Sequence, residues 1–433
     1  MFAQLGNICV GLFDNIMVSV IGRKAIASVS LANAVFFISV IFGLGISASI
    51  PSLIASIDIK KKYKEGSMIL FHSLILGLIL SIIVYILIHE FLFVIPYLGQ
   101  PKEILNETIE FLKILSISFF PWIIFELLRK FSEGLSLVYP SLIITWISAI
   151  INIIFNYLFI SGDYGFPKLG VVGVAYSTLI ARFSMLFGMI IILFMYRKIR
   201  KYLLYIKYFT FNKKYINEIL KIGIPSGLQM LFEMGAFAVS SFISGKYGVK
   251  VLAAHQIVIN LVSSTFLLST GFSVAATIRI SSQFSLKKYS KLKEIGTSII
   301  FMGSIFMLLF SFLFFYFKNY IPYIYIKKND YEIAPIITEM IVIASIFQIS
   351  DGIQGIILGI LRGMRDVKIP MFISFFSYWI IALPISWYLS LKIGGNGVWI
   401  GLGLGLTISA ILLFIRYEIM IEKLIKKNKK YKK

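Results

Sequence analysis

Long apolar segments alternate with short polar connectors along the whole chain, and this leaves few folds open. Twelve such segments are readable, at about 2–21, 29–56, 67–97, 106–128, 139–161, 169–196, 216–244, 252–280, 295–325, 332–361, 368–391 and 395–417. Each is long enough to cross a hydrocarbon layer of about 30 Å as a helix. Within that layer a segment must satisfy its own backbone N–H and C=O groups, which selects helices over irregular chain. Only 14% of the 433 residues are charged and 58% are hydrophobic, against roughly 25% charged in a soluble domain. The expectation is an all-α membrane protein with twelve transmembrane helices and no separate soluble domain.

The net charge of +22 belongs to the connectors. One side of the membrane receives Lys60 to Lys64, Arg129 and Lys130, the basic stretch Arg197 to Lys214, Lys287 to Lys293, Arg362 to Lys368 and the tail from Lys423 to Lys433. The other side receives far fewer. Such asymmetry marks the cytoplasmic side, so both termini are expected there, in a bacterial inner membrane. No folded basic domain exists to hold nucleic acid. One cysteine, Cys9, excludes an intramolecular disulfide framework. The N-terminus enters the first span without the basic start of a cleavable signal peptide.

The two halves repeat. Adding 226 to a first-half number pairs Gly22 with Gly248, Lys24 with Lys250, Gly45 with Gly271, Ser47 with Ser273 and Ser56 with Ser282. Lys61-Lys62-Tyr63 returns as Lys287-Lys288-Tyr289, and Gly170 and Gly173 return as Gly394 and Gly397 with a slightly different offset. Six spans per copy make this a parallel repeat, two pseudo-symmetric six-helix bundles, as in transporters that place the substrate path between halves. The expected organisation is an N-terminal lobe over 1–196, a cytoplasmic linker over 197–221, a C-terminal lobe over 222–417 and a basic tail over 418–433.

A charge at membrane depth costs roughly 2.5–3.5 kcal/mol even on insertion scales, so those present need a partner, a wet cavity or a function. Asp14 lies in the first span and Glu233 in the seventh, the first helix of each half, and each is preceded by Phe; Asp351 lies in the tenth. Carboxylates in a cavity bind protons or cations reversibly. Asn152 and Asn156 are one turn apart on the fifth span, so they share a face that suits Asp14 as neutral ligands or serves as interhelical glue. Thr178 is a candidate for the same cluster. Arg182 has two readings, salt bridge or cavity residue; Arg279 reads as snorkelling, and Glu126 with Arg129 as a local ion pair. The histidines at 72, 89 and 255 are scattered, which suggests no metal site.

These residues resemble the multidrug and toxic compound extrusion (MATE) family in its NorM-like bacterial branch, over essentially the whole chain. The carriers are Phe13-Asp14-Asn15-Ile16-Met17-Val18, Asn152 to Tyr157, Gly170 to Thr178, Pro225 with Glu233, Ala253-Ala254-His255-Gln256, and Asp351 leading to Leu361-Arg362-Gly363. The resemblance implies export of organic cations or drugs by alternating access, against inward Na+ or H+, with no enzymatic activity and no cofactor besides the coupling ion. It implies an N-lobe cation site at Asp14, Asn152 and Asn156 and a C-lobe site at Glu233 and Asp351. The three acids are also expected at the substrate cavity, with transient Na+ at Glu233, Asp351 or Asp14 and no permanent metal. Members often carry an aromatic hydroxyl four residues before the match to Asp351; this chain has Phe347 there. The chain is expected to act as a monomer among membrane lipid. A lipid-linked oligosaccharide flippase of the same superfamily is the alternative; it calls for a strongly cationic cavity, whereas these spans offer acids more than bases.

Overall fold

The computed structural model describes residues 14, 16–97, 101–326 and 328–430. Most of the expected first span therefore lies outside the described residues, as do Cys9, Phe13 and Asn15; residue 14 and residues 16–21 are helical. Among the described residues there is no strand, and eleven helices are long and apolar enough to cross a membrane. They make an all-α, multi-span architecture of the kind the apolar pattern implies.

In chain order the helices are α1 (Arg23–Asp58), α2 (Tyr63–Leu92), α3 (Lys102–Gly134), α4 (Tyr139–Ser161), α5 (Val171–Met195), α6 (Arg197–Leu203), α7 (Lys213–Gly245), α8 (Val249–Ser285), α9 (Tyr289–Phe317), α10 (Ile321–Tyr325), α11 (Ala334–Gly363), α12 (Lys368–Phe375), α13 (Leu383–Ile393) and α14 (Gly395–Lys430). A π-helical segment, Phe376–Ala382, joins α12 to α13. Residues 213–221, read above as linker, are the first turns of α7. Two expected spans are shorter than read. The one at 67–97 ends at Leu92, with a 3-10 turn over Ile95–Tyr97, and the one at 295–325 ends at Phe317 before the separate α10. Pro322 sits in the first turn of α10; without an N–H, and with a ring that crowds the preceding turn, it suits a helix start and not a continuation.

The chain divides into two compact units, residues 2–227 and 228–433, with the division inside α7. Taken separately, the units have one packing plan. In the first, α3 packs on α1, α2 and α5, and α4 packs on α5; in the second, α11 packs on α8, α9 and α14, and the α12–α13 segment packs on α14. The repeat extends to the turns. Lys61 and Lys287 both have positive φ (54° and 56°), as do Ser136 and Arg365 (63° and 62°) and Gly170 and Gly394 (56° and 62°). At all four non-glycine positions the next residue's N–H returns to a carbonyl five residues back: Lys62 to Ile57, Lys288 to Gln283, Leu137 to Ser132 and Asp366 to Leu361. This is the Schellman closure, which satisfies carbonyls a helix end would leave open.

The central helix α3 carries a buried charge network. Arg129 Nη2 donates to Glu126 Oε1 at 2.6 Å and Lys130 Nζ to Glu133 Oε2 at 2.8 Å. The expected Glu126–Arg129 pair is thus one arm of a neutral four-residue cluster. Its counterpart α11 packs on α8 by close approach: Gly355, Gly359 and Gly363 recur every fourth residue. Ser273 Oγ donates to the Gly355 carbonyl (2.7 Å) and Thr277 Oγ1 to the Gly359 carbonyl (2.8 Å). Lipid supplies no hydrophobic drive between helices, so small residues and such hydrogen bonds hold them. Gly359→Leu is expected to force α8 from α11, at a cost of at least the 1–3 kcal/mol of ordinary overpacking. Size-exclusion profile and thermal midpoint in detergent check this; a wild-type profile and midpoint would refute it.

Candidate functional site

Each unit holds a polar cluster around acid, half-buried in the first and buried in the second. In the first unit, Asp14 reaches Asn156 on α4: Asn156 Nδ2 donates to Asp14 Oδ1 at 2.6 Å and lies 3.2 Å from Asn152 Oδ1. The one-turn spacing read from sequence puts both amides on this face, and both are buried. Asn156 Oδ1 has no hydrogen-bond partner among the described residues. Asp14, Asn152 and Thr178 line a cavity of about 180 Å³ together with Trp122, Thr145, Ser148 and Arg182. Thr178 Oγ1 bonds its own helix, donating to the Val174 carbonyl at 3.0 Å, so Thr178 flanks the Asp14–Asn156 contact.

Arg182, one turn after Thr178 on α5, is a cavity residue. Its Nη1 donates to Ser118 Oγ on α3 at 2.7 Å, and its guanidinium carbon lies 4.9 Å from the centre of the Phe36 ring. It acts on Asp14 electrostatically but forms no ion pair with it within 4 Å. The two opposite charges share the cavity, each held by a different neutral partner.

In the second unit, Glu233 on α7 is 8% exposed and Asp351 on α11 is 4% exposed, and each acts on the other electrostatically. Glu233 accepts from Gln229 Nε2 at 3.1 Å and from Gln354 Nε2 at 3.2 Å. Gln229 is one turn before Glu233 on α7, and Gln354 is one turn after Asp351 on α11. Tyr378 lies within electrostatic reach of Glu233 and donates to Gln354 Oε1 at 3.0 Å. Arg362 is within electrostatic reach of Glu233, with no ion pair to it within 4 Å among the described residues. Gln348, three residues before Asp351, donates to Thr265 Oγ1 and leaves its own Oε1 without a partner.

The sequence reading missed Gln229, Gln354 and Tyr378. The two glutamines carried a usable signal, since each is one helical turn from an acid already singled out. Tyr378 carried none: it lies in the π segment, where one extra residue per turn resets the side-chain direction. Its fully buried hydroxyl stands at the acids where the resemblance placed one at position 347. Phe347 instead stacks on Trp399, with ring centres 6.0 Å apart and planes at 14°.

Among the described residues no group of three or more His, Cys, Asp or Glu side chains forms a metal cluster. Carboxylate, amide and phenol oxygens are nonetheless the donor types that a hard cation takes, and an orphan amide oxygen stands in each cluster.

Comparison with known proteins agrees with this architecture. A sequence model of the MatE family matches residues 1–158 and 225–388. The multidrug resistance protein NorM of Photobacterium profundum is 26% identical, with 96% of this chain and 92% of that one covered. NorM of Aliivibrio fischeri is 29% identical, with 96% and 91% covered. Among solved structures, an outward-facing multidrug resistance MATE family transporter of the MOP superfamily superposes with a TM-score of 0.90 at 20% identity, over 98% of this chain and 94% of that one. A MOP superfamily transporter from Pyrococcus furiosus, described as having a binding pocket of reverse polarity, gives 0.88 at 20% identity, over 98% and 94%. The structural likeness concerns the fold; the family match, which covers well over half of the sequence, establishes that the chain belongs to the MatE family of multi-pass membrane transporters.

Proposed function

We propose that the protein is a secondary multidrug antiporter of a bacterial plasma membrane, which exports organic cations or drugs in exchange for Na+ or H+. The relatives named as multidrug resistance proteins support the substrate class. The observation that carries the coupling is the pair of acid clusters. Asp14, Glu233 and Asp351 make no ion pair within 4 Å with any described residue, and Asp14 and Glu233 are held by side-chain amides instead. A carboxylate with a permanent salt bridge has little use for a mobile cation; one held by neutral donors can take up and release a proton or sodium ion. The coupling assignment covers Asp14, Asn152, Asn156 and Thr178 in the first unit and Glu233 and Asp351 in the second, with Tyr378, Gln229 and Gln354 added here.

Coupling requires that the ion bind the inward- and outward-open states with different affinity. Amide and phenol groups from separate helices suit this, because a sub-ångström shift of one helix changes how many of them reach the acid. The flippase alternative needs a strongly cationic cavity, and the one lined by Arg182 also contains Asp14.

Asp14→Asn and Glu233→Gln are nearly isosteric, and both variants are expected to fold and to lose coupled efflux. Ethidium efflux from vesicles with Na+ and pH gradients imposed separately reads this; unchanged efflux in both variants would overturn the assignment and reveal which gradient drives the wild type. Tyr378→Phe removes the phenol's hydrogen bond to Gln354, the amide that donates to Glu233, worth about 0.5–1.5 kcal/mol. The ion concentration for half-maximal efflux is expected to rise by about two- to tenfold, with expression and thermal midpoint near wild type. An unchanged half-maximal concentration would remove Tyr378 from the ion site.

A further inference from the structure

The basic connector after α5 is not a slack tether. Ile199 and Tyr202, three residues apart on α6, are fully buried. Tyr202 donates its hydroxyl to Asp58 Oδ1 at 2.7 Å and packs edge-on against Tyr63 and Phe131. A side chain at Gly66 would run into the Tyr202 ring at 2.5 Å, so that glycine makes room for the anchor. Lys198 Nζ donates to the Leu135 carbonyl at 2.7 Å and pairs with Asp58 Oδ2 at 2.8 Å. Further on, His72 Nδ1 lies 2.6 Å from the Met68 carbonyl, and its Nε2 accepts the Asn212 N–H at 2.9 Å. These complementary roles fix one neutral tautomer. Phe209 and Phe211 flank the same ring. The connector is thus fastened at both ends to one unit.

What remains outward is of two kinds. Arg197, Arg200, Lys201 and Lys207 are exposed. Among them stand apolar side chains a soluble surface would hide: Leu204 is 71% exposed, Phe211 61% and Tyr208 51%. The segment starts two residues after the end of the membrane helix α5, so it emerges at headgroup depth. Topological bias alone asks only that basic residues be present in a loop. It does not ask that the loop be bolted down with its basic and aromatic side chains on the free side. That combination is what an interfacial segment presents to anionic lipid.

We propose that residues 197–211 form a binding surface for anionic phospholipid, with Arg197, Arg200, Lys201 and Lys207 on the phosphates and Leu204, Tyr208 and Phe211 among the upper acyl carbons. The surface rests on the membrane reading and not on the coupling assignment, so its test does not involve transport.

The probe is phosphatidylglycerol, with phosphatidylcholine as the zwitterionic reference, added to the full-length protein in detergent. Binding is counted by native mass spectrometry and by the shift in thermal midpoint. The wild type is expected to prefer phosphatidylglycerol. Replacing Arg197, Arg200, Lys201 and Lys207 by Gln is expected to lower that preference by at least about tenfold, since each basic residue near an anionic surface contributes about fivefold. Replacing Lys423, Lys426 and Lys427 by Gln removes a similar charge from the tail and is expected to leave the preference intact. If the fourfold variant keeps the wild-type preference, or the tail variant loses as much, the proposal fails. Inorganic phosphate producing the same midpoint shift would also overturn it, because acyl contacts are part of the surface. Leu204→Ser with Phe211→Ser keeps every charge and is expected to weaken binding severalfold; no change would reduce the surface to a charge cloud and refute its apolar half.

Discussion

A carboxylate at membrane depth has to be held by something, and in this protein the holder is a carboxamide. Asn156 donates to Asp14; Gln229 and Gln354 donate to Glu233. An amide N–H stabilises the charged acid without cancelling its charge. That difference sets these sites apart from the buried network on α3, where Glu126, Arg129, Lys130 and Glu133 neutralise one another. One chain thus contains both solutions to a charge in low dielectric. The self-paired cluster has no charge left to offer an ion, whereas the amide-held acids retain theirs.

Span number, the repeat and the Asp14–Asn156 contact were legible because each depends on a local period: about 20 apolar residues per crossing, 226 residues per copy, four residues per helical turn. The reading that the two lobes differ in chemistry, asparagines for Asp14 and a second carboxylate for Glu233, is half of the arrangement. Glu233 does face Asp351 electrostatically, but its hydrogen bonds go to amides, as those of Asp14 do. The spacing of Gln354 from Asp351 was legible, but its partner was not, because Glu233 is 121 residues away. Tyr378 was hidden for a different reason. Helical periodicity fails across a π segment, so extrapolating the face of α12 or α13 assigns the tyrosine a wrong direction. Pro384, just after that segment, lacks the N–H that a regular turn would return to the preceding carbonyl, and such lost bonds favour a local change of winding.

The strained turns carry the same lesson about what sequence conceals. A helix stop is usually sought as glycine, which takes positive φ without penalty. Here Lys61, Ser136, Lys287 and Arg365 take it, at roughly 1–2 kcal/mol each for an L-residue. Their identities therefore gave no warning, although the repeated Lys61-Lys62-Tyr63 and Lys287-Lys288-Tyr289 did show that the loops were related. The cost recurs in both units at matching helix ends. A strained conformation kept in two copies whose sequences have otherwise drifted apart is maintained by geometry and not by residue preference: the Schellman bonds at those ends close the backbone whichever side chain stands there. Tight reversals of this kind leave α1–α2, α3–α4, α8–α9 and α11–α12 little freedom at their joints.

The connector fits that picture of restricted joints. The connector joins α5 to α7 within the first unit, and an unconstrained one would leave the start of α7 many placements there. By fastening residues 198–212 to the first unit through Asp58, Leu135 and His72, the fold confines the free length to almost nothing before α7 begins at Lys213. Loop entropy falls only slowly with length, so shortening the link contributes little to stability. What fastening does contribute is placement: basic and aromatic side chains are presented as a surface on the first unit.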